Sequence, residues 1–281
     1  MKKIITLIGC VALAASALAE GPVSANVVGY TKVALGKGFN MIGLNFEEVC
    51  GGQEMDMQEL IPGTTAGFQK GTSVGSADNI QVWNSKDGQY EVYFLHSGVG
   101  VGQTAKANKW VKNVTGYPIA ENVMIGTAEG LFFVSQGGTK SAVLAGQVID
   151  DKHGLTIPAG FNAVASPFPV DWFINGTDSI GAPQNTFVNW ATSSARKGTN
   201  VGSADNIQVW DPVGEEYKVY FLHSGVGVGQ TAKANKWVEN VTGYPIATGL
   251  VIHPGQGFFY VNGGSVTLEL NAMPTYDLSI P

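Results

Sequence analysis

The sequence predicts an all-β protein built from two similar β-sandwich or β-barrel domains in tandem. Residues 70–134 recur as residues 197–261, with 46 of the 65 aligned positions identical. Glycine supplies 38 of the 281 residues, whereas charged residues make up only 14%, below the usual value of about 25%. Runs of β-branched and aromatic residues alternate with Gly, Asn and Asp clusters, a pattern typical of short strands joined by tight turns.

The length of the repeat indicates two domains. Solenoid repeats span about 20 to 50 residues, whereas a unit of about 130 residues is long enough to bury its own core. We therefore predict a first β module at residues 20–150 and a second, its internal duplicate, at residues 151–281. The alignment offset grows from 122 at Gly38 to 127 at Lys70, so the second copy carries a longer connection between Phe168 and Lys197.

The first 19 residues have the features of a cleaved export signal. Lys2 and Lys3 precede a mostly apolar run that ends in Ala17-Leu18-Ala19. We predict a mature chain that begins at Glu20 and is secreted, periplasmic or bound at the cell surface. Lipidation of Cys10 is an alternative, because Leu7-Ile8-Gly9-Cys10 resembles a lipobox, although it lies early in the apolar run.

The predicted mature chain is acidic and has a single cysteine. Removing the signal leaves 14 basic and 22 acidic residues, a net charge of −8. Because such a surface repels nucleic acid and anionic lipid, we expect neither nucleic-acid binding nor membrane insertion of the mature chain. Cys50 has no partner for an internal disulfide, so the fold must rely on its hydrophobic core.

The strands are clearest in the repeated block. Residues 80–83 and 90–95 read as a β-hairpin around a polar turn that ends in Asp87-Gly88. Alternation along 90–95 gives two largely apolar faces, which predicts a central strand covered on both sides. A short helix is predicted from Met55 to Leu60, before Pro62. Further strands are predicted at 109–112, 123–125, 131–134 and 141–148, with counterparts at 236–239, 250–252 and 258–261.

Aromatic residues present in both copies are the main candidates for ligand binding. A flat ring stacks well on the C–H face of a sugar, and packing in the core is the alternative role. The doublet Phe132-Phe133 is expected to split between the core and the opposite face of its strand. Histidines at the ends of matching strands can act as ligand-binding groups, or can bond to a backbone carbonyl. The candidates are Trp83, Trp110, Tyr117 and His96, with their copies Trp210, Trp237, Tyr244 and His223.

The sequence contains no recognisable catalytic, metal or cofactor site. Ser73 lies in a G-x-S-x-G pattern, but the second copy has Asn200 there and a strand, not a helix, follows. The glycine-rich segment 98–104 lacks the lysine of a phosphate loop. Asp78 and Asp205 lack the acidic ladder of a calcium loop, and we interpret them as turn caps.

Two short motifs resemble those of uncharacterised secreted bacterial β-module proteins. Gly160-Phe161-Asn162 resembles their opening strand, and the run from Pro254 to Val261 resembles their Pro-Gly-x-Gly-Phe-Phe closing strand. The first copy departs from the closing motif, with Thr127-Ala128-Glu129-Gly130 in its place. The resemblance implies export and an all-β fold, and it carries over no catalytic residues.

Three functional hypotheses follow. The first is an exported non-catalytic protein that makes structural or adhesive contacts with a polysaccharide, a surface protein or itself. The second is a carbohydrate-binding protein with paired aromatic platforms. The third, a secreted hydrolase, lacks paired carboxylates or a triad in both copies. The exposure of Trp110 and Trp237 distinguishes the first two hypotheses, because buried rings cannot stack on sugars.

Overall fold

The chain folds almost entirely into antiparallel strands, which confirms the predicted all-β class. The computed structural model describes residues 27–275 except Cys50, Gly51, Gln53, Asn185 and Pro212. The predicted signal peptide and the state of Cys50 therefore lie outside the described residues. The only α-helix in the described part of the chain is α1 (Met57–Leu60), and short 3-10 helices lie at Thr104–Lys106, Val201–Ser203 and Thr231–Lys233.

Eighteen strands form the described fold, nine in each half of the chain. The first nine are β1 (Val28–Leu35), β2 (Gly38–Gly43), β3 (Glu54–Asp56), β4 (Asn79–Asn84), β5 (Gln89–His96), β6 (Lys109–Lys112), β7 (Met124–Gly126), β8 (Gly130–Ser135) and β9 (Lys140–Gln147). The second nine are β10 (His153–Ile157), β11 (Gly160–Ala165), β12 (Trp172–Phe173), β13 (Asn206–Asp211), β14 (Glu216–His223), β15 (Lys236–Glu239), β16 (Val251–Ile252), β17 (Gly257–Asn262) and β18 (Leu268–Ala272).

Both halves pair their strands in the same way. A five-stranded sheet has the order β2-β8-β4-β5-β6 in the first half and β11-β17-β13-β14-β15 in the second. Two-stranded sheets β1-β9 and β3-β7 match β10-β18 and β12-β16. We call residues 28–147 the first repeat and residues 153–272 the second repeat. That each repeat folds as a domain of its own stays a prediction.

The predicted hairpin is present in both repeats, whereas the predicted helix is shorter than expected. Strands β4 and β5 pair with Asn84 opposite Gln89, and β5 lies between β4 and β6 with its second half buried. Met55 belongs to strand β3 and pairs with Ile125, so the helix begins only at Met57. The carboxylate of Asp56 caps this helix by accepting from the backbone N–H of Gln58 at 2.7 Å.

One face of each five-stranded sheet packs on the smaller sheets and forms the core. The core of the first repeat includes Ile80, Leu95, Trp110 and Phe133, and the second repeat has the equivalent residues Ile207, Leu222, Trp237 and Tyr260. The edge strands of both sheets are closed by amide side chains. Gln58 and Asn175 bond both the N–H and the C=O of Trp110 and Trp237, respectively, although they lie in unrelated connections.

The two repeats contact each other through equivalent residues. The N–H of Gly43 donates to the carbonyl of Gly255 at 2.9 Å, and the N–H of Ala165 donates to the carbonyl of Ala128 at 2.7 Å. Positions 43 and 165 are equivalent, as are positions 128 and 255. The two hydrogen bonds are therefore related by a local two-fold axis, as in an isologous dimer interface.

Two further observations place this axis. The bridges Ile42↔Gln256 and Glu129↔Val164 also join equivalent positions. A Cβ atom added to Gly43 would lie 2.0 Å from the Cβ atom of Ala165, its own counterpart. The axis therefore passes between residues 43 and 165, where there is room for one methyl group.

Candidate functional site: an aromatic cleft between the repeats

The sheet face that turns away from the core carries a row of aromatic residues in each repeat. Neighbouring side chains on a strand point to opposite faces, so Trp83 and Tyr90, paired across β4 and β5, lie on the face opposite Ile80 and Leu95. Phe132 of β8 pairs with Met41 of β2 on the same face. The doublet Phe132-Phe133 is therefore split between the two faces, as predicted.

The two rows line a cleft of about 510 Å³ between the repeats. This volume lies in the range of small-ligand sites, about 300 to 1,000 Å³. None of its ten lining residues is charged, and they form five pairs of equivalent positions, one member of each pair from each repeat. The pairs are Phe39 and Phe161, Gln81 and Gln208, Trp83 and Trp210, Tyr90 and Tyr217, and Phe132 and Phe259.

Phenylalanine rings form both the floor and the rim of the cleft. Phe132 and Phe259 form the buried floor, with ring centroids 6.0 Å apart across the two-fold axis. Phe39 and Phe161 pack edge-on against them at 5.7 and 6.0 Å, yet remain 52% and 47% exposed. Exposed, contiguous aromatic surface of this kind is typical of a binding site.

Each wall of the cleft is a tryptophan–tyrosine pair. Trp83 and Tyr90 have ring centroids 4.9 Å apart and an interplanar angle of 63°. Trp210 and Tyr217 repeat this arrangement at 5.1 Å and 62°. Because the two rings of each pair are steeply inclined to each other, each wall is an angular wedge and not a flat platform.

The polar groups of the cleft are uncharged. Burial raises the pKa of Tyr217 to about 12. Burial also raises the pKa of Tyr90, and the nearby Tyr217 adds to that shift. Both hydroxyls are therefore protonated at neutral pH and able to donate. The Gln81 and Gln208 amides donate to Asn79 and Asn206 at 3.1 and 3.2 Å, and each has a second N–H.

One feature of the cleft breaks its symmetry. The indole N–H of Trp83 donates to the carbonyl of Phe161, across the repeat boundary, at 2.8 Å. The indole N–H of Trp210 makes no equivalent bond to Phe39, and it has no acceptor within residues 27–275 as described. Trp210 therefore provides a donor that a ligand can use.

The aromatic residues proposed from the sequence divide into three groups. Trp83 and Trp210 line the cleft, as a ligand-binding role requires. The assignment of Trp110 and Trp237 is wrong, because both indoles are fully buried, facing the core opposite Leu95 and Leu222. Tyr117 and Tyr244 pack edge-on against Phe94 and Phe221 at 5.2 and 5.1 Å. They are not among the cleft-lining residues, so the cleft gives them no role.

The repeated histidines are structural. His96 and His223 are 2% exposed, and each Nδ1 accepts from a backbone N–H, that of Gly98 or Gly225, at 2.9 or 2.8 Å. The predicted hydrogen bond from each ring to a backbone carbonyl is wrong, because neither ring makes one in the described structure. Burial of both rings contradicts a ligand-binding role. Burial, together with the nearby lysines 106 and 233, lowers the pKa of both rings, which keeps them neutral.

The remaining candidates have partners of their own. Asp78 is buried and pairs with Lys140 at 2.6 Å, so it links distant segments and does not cap a turn. The Ser73 hydroxyl lies 3.1 Å from the Ser76 hydroxyl in an exposed turn. A search of the described residues finds no group of three or more His, Cys, Asp or Glu side chains that could hold a metal ion.

A second cavity, of about 440 Å³, lies beside the cleft and shares Trp83 with it. Glu129 and His153 line this cavity, and burial raises the pKa of the first and lowers that of the second. The carboxylate of Glu129 accepts from the N–H of Gly126 at 2.8 Å. No hydrogen bond or ion pair joins the Glu129 and His153 side chains in the described structure.

Sequence reasoning missed most of the cleft. Phe39, Tyr90 and Phe132, with their copies, were not candidates, although the alternation along β5 and the Phe-Phe doublet already pointed to a second apolar face.

Comparisons with protein-family models, with curated proteins and with solved structures found no match to this chain. Within the described residues, no helix has the length and apolarity needed to cross a bilayer.

Proposed function

We propose that this chain is an exported, non-catalytic binding protein that makes structural or adhesive contacts through the cleft between its repeats. The observation that carries the proposal is the lining of the cleft by five equivalent pairs of residues, one member from each repeat. Burial of exposed apolar surface such as Phe39 and Phe161 is favourable by about 25 cal/mol per Å², so an occupant gains free energy there.

The chemistry of the cleft favours binding over catalysis. General acid–base catalysis needs groups with pKa values near the working pH. The titratable side chains in the cleft are Tyr90 and Tyr217, and burial raises the pKa of each above its usual value of 10. Both hydroxyls therefore stay protonated at neutral pH and serve as hydrogen-bond donors.

Carbohydrate binding is a second candidate, favoured by the partial exposure of Trp83 and Trp210 in the cleft. Two observations weigh against it. The other tryptophan pair, Trp110 and Trp237, is buried, and the cleft rings are inclined to one another instead of lying coplanar.

A fluorescence titration with the neutral apolar probe N-phenylnaphthylamine tests whether the cleft is a ligand site. We expect one probe per mature chain and about tenfold weaker binding to Phe39→Ser with Phe161→Ser, since two rim rings are lost. The matched control is Val101→Ser with Val228→Ser, an equivalent pair of fully exposed apolar residues outside the cleft. Equal loss in both variants contradicts the proposal.

The export part of the proposal has its own test. The full chain is expressed in a bacterial host, and protein recovered from the periplasm and the medium is analysed by intact-mass spectrometry. We expect a chain that begins at Glu20, because the Ala17-Leu18-Ala19 segment fits a signal-peptidase site. Recovery of only uncleaved chain from the cytoplasm would remove the export proposal and leave the binding proposal intact.

A further inference from the structure

We infer that the ligand of the cleft is an uncharged, proline-rich protein segment in the polyproline II conformation. This inference rests on the proposed function, because it names the ligand class of the same cleft. Aromatic-lined grooves bind such segments because a polyproline II helix is already ordered before binding and loses little conformational entropy.

The shape of the cleft fits the proline rings that project from one side of a polyproline II helix. The inclined pairs Trp83–Tyr90 and Trp210–Tyr217 form two equivalent wedges on either side of the Phe132 and Phe259 floor. A polyproline II helix has three residues per turn, so residues i and i+3 project from the same side. In the proposed complex, one of two such pyrrolidine rings lies against each wedge.

The hydrogen-bonding groups of the cleft also fit. A proline lacks the backbone N–H, and a polyproline II helix has no internal hydrogen bonds, so the segment offers carbonyl acceptors and no donors. The cleft supplies donors: the Tyr90 and Tyr217 hydroxyls, the second N–H of each glutamine amide and the free indole N–H of Trp210.

The local two-fold axis matches a further property of the ligand. The carbonyls and rings of a polyproline II helix recur at nearly the same spacing in either chain direction, so a two-fold symmetric cleft accepts both directions. The indole of Trp83 is already bonded to Phe161, whereas that of Trp210 is free. We therefore expect one direction to bind more tightly, with a ligand carbonyl at Trp210.

The test uses the mature full chain and blocked deca-L-proline, with a Gly-Ser decapeptide as the flexible control peptide. Isothermal calorimetry is expected to show saturable binding of decaproline and none of the Gly-Ser peptide. Phe39→Ser with Phe161→Ser should weaken decaproline binding about tenfold, and Val101→Ser with Val228→Ser should leave it unchanged. Circular dichroism and a thermal melt check that each variant is folded.

A matched pair of substitutions tests the donor at Trp210. Trp210→Phe keeps a ring in the wedge but removes the free N–H, and we expect about fivefold weaker decaproline binding. Trp83→Phe removes an N–H that is already bonded within the protein, so a smaller loss is expected. Equal losses in the two variants, or a larger loss for Trp83→Phe, would overturn the assignment of Trp210 as the ligand donor.

The remaining outcomes separate the two proposals. If N-phenylnaphthylamine binds in the cleft and decaproline does not, the ligand class is wrong and the cleft function stands. If cellohexaose binds in the cleft in place of decaproline, the ligand is a sugar. If decaproline binds equally to the cleft variant and the control variant, the peptide lies elsewhere and the inference fails. If none of the three probes binds, both proposals fail.

Discussion

The first and second repeats hold the same buried aspartate in different ways. In the first repeat, Asp78 accepts from the N–H groups of Gln69 and Gln136 and pairs with the Lys140 ammonium at 2.6 Å. In the second repeat, the strand register places Leu268 at the lysine position, since Leu35 pairs with Lys140 and its counterpart Ile157 pairs with Leu268. The adjacent Thr267 is exposed.

Asp205, the counterpart of Asp78, accepts from the equivalent backbone groups of Arg196 and Gly263. Its third donor is the Tyr260 hydroxyl at 2.8 Å, from a position that is Phe133 in the first repeat. Burial and the nearby Asp205 carboxylate raise the pKa of Tyr260 well above its usual value. Each buried aspartate thus has a third hydrogen-bond donor, which is charged in the first repeat and neutral in the second. The donor comes from β9 in the first repeat and from β17 in the second.

Removing the lysine tests this difference and has the largest expected effect. Lys140→Met leaves the Asp78 carboxylate buried without a counter-charge, which costs about 3 to 5 kcal/mol of unfolding free energy. Tyr260→Phe removes a hydrogen bond from Asp205 and should cost about 1 to 3 kcal/mol. Thr267→Met is the control and should change little. Urea denaturation measures all three, and equal losses for Lys140→Met and Tyr260→Phe would contradict the comparison.

The contact at the two-fold axis gives the next largest effect. Gly43→Ala places a methyl group 2.0 Å from that of Ala165, so we expect a loss of about 1 to 3 kcal/mol and weaker N-phenylnaphthylamine binding as the repeats separate.

The rescue variant sharpens this test. Ala165→Gly added to Gly43→Ala exchanges the two residues across the axis and should restore both the unfolding temperature and probe binding. Gly154→Ala, at an open strand position in the second repeat, is the control. Failure of the exchange to rescue would show that positions 43 and 165 do not face each other.

The two core tryptophans offer a smaller contrast. The indole N–H of Trp110 donates to the Ile61 carbonyl at 2.6 Å, whereas that of Trp237 is buried with no partner among the described residues. Trp110→Phe should therefore cost about 1 kcal/mol more than Trp237→Phe, because only the first leaves a buried carbonyl unpaired. Urea midpoints of the two variants measure the difference, and a greater loss for Trp237→Phe would contradict it.

The pH dependence of stability compares the repeats at the histidines. Burial lowers the pKa of His96, His223 and His153 below the ordinary value of 6.5, so the unfolded chain binds protons more readily. The contribution of these neutral histidines to the unfolding free energy is therefore fully present above the unfolded pKa of 6.5, and it is lost as the pH falls below that value. We expect a lower urea midpoint at about pH 6 than at about pH 7.5.

Single glutamine substitutions divide this dependence between the repeats. His96→Gln and His223→Gln should reduce the pH dependence by the same amount, because the two rings have equivalent partners. His153→Gln should reduce it further, in the second repeat alone. Unequal effects of the first two substitutions would show that the equivalent sites differ. Raised pKa values at Glu47 and Glu129 act in the opposite direction at lower pH.

The sequence carried enough information for the fold class and the long strands. The β-branched and aromatic runs at 80–83 and 90–95 and the Asp-Gly turn between them predicted the hairpin almost to the residue, because these residue types favour strands and Asp-Gly favours a tight turn. Strands β12 and β16 have two residues each, too few to show any period. The helix of four residues is equally short, and its predicted first turn is occupied by β3.

The candidate site was only partly predictable, because identical residue types have opposite roles. Trp83 and Trp110 both lie in repeated strands, and only the strand register decides which faces the cleft and which the core. Strand β6 has four residues with lysines at both ends, so its sequence does not specify a buried face. The cleft itself depends on how two repeats pack, which no pattern within one repeat encodes.

Covalent linkage of the two half-sites has a consequence for how the cleft responds to dilution. A reversible dimer loses its shared site once the protomer concentration falls below the dissociation constant, whereas a tandem chain keeps both halves together at any concentration. The two positions on the axis are also no longer occupied by the same residue, because Gly43 makes room for the methyl group of Ala165. Two copies of the second half would bring two methyl groups to one point, so the second half fits against the first half better than against another copy of itself.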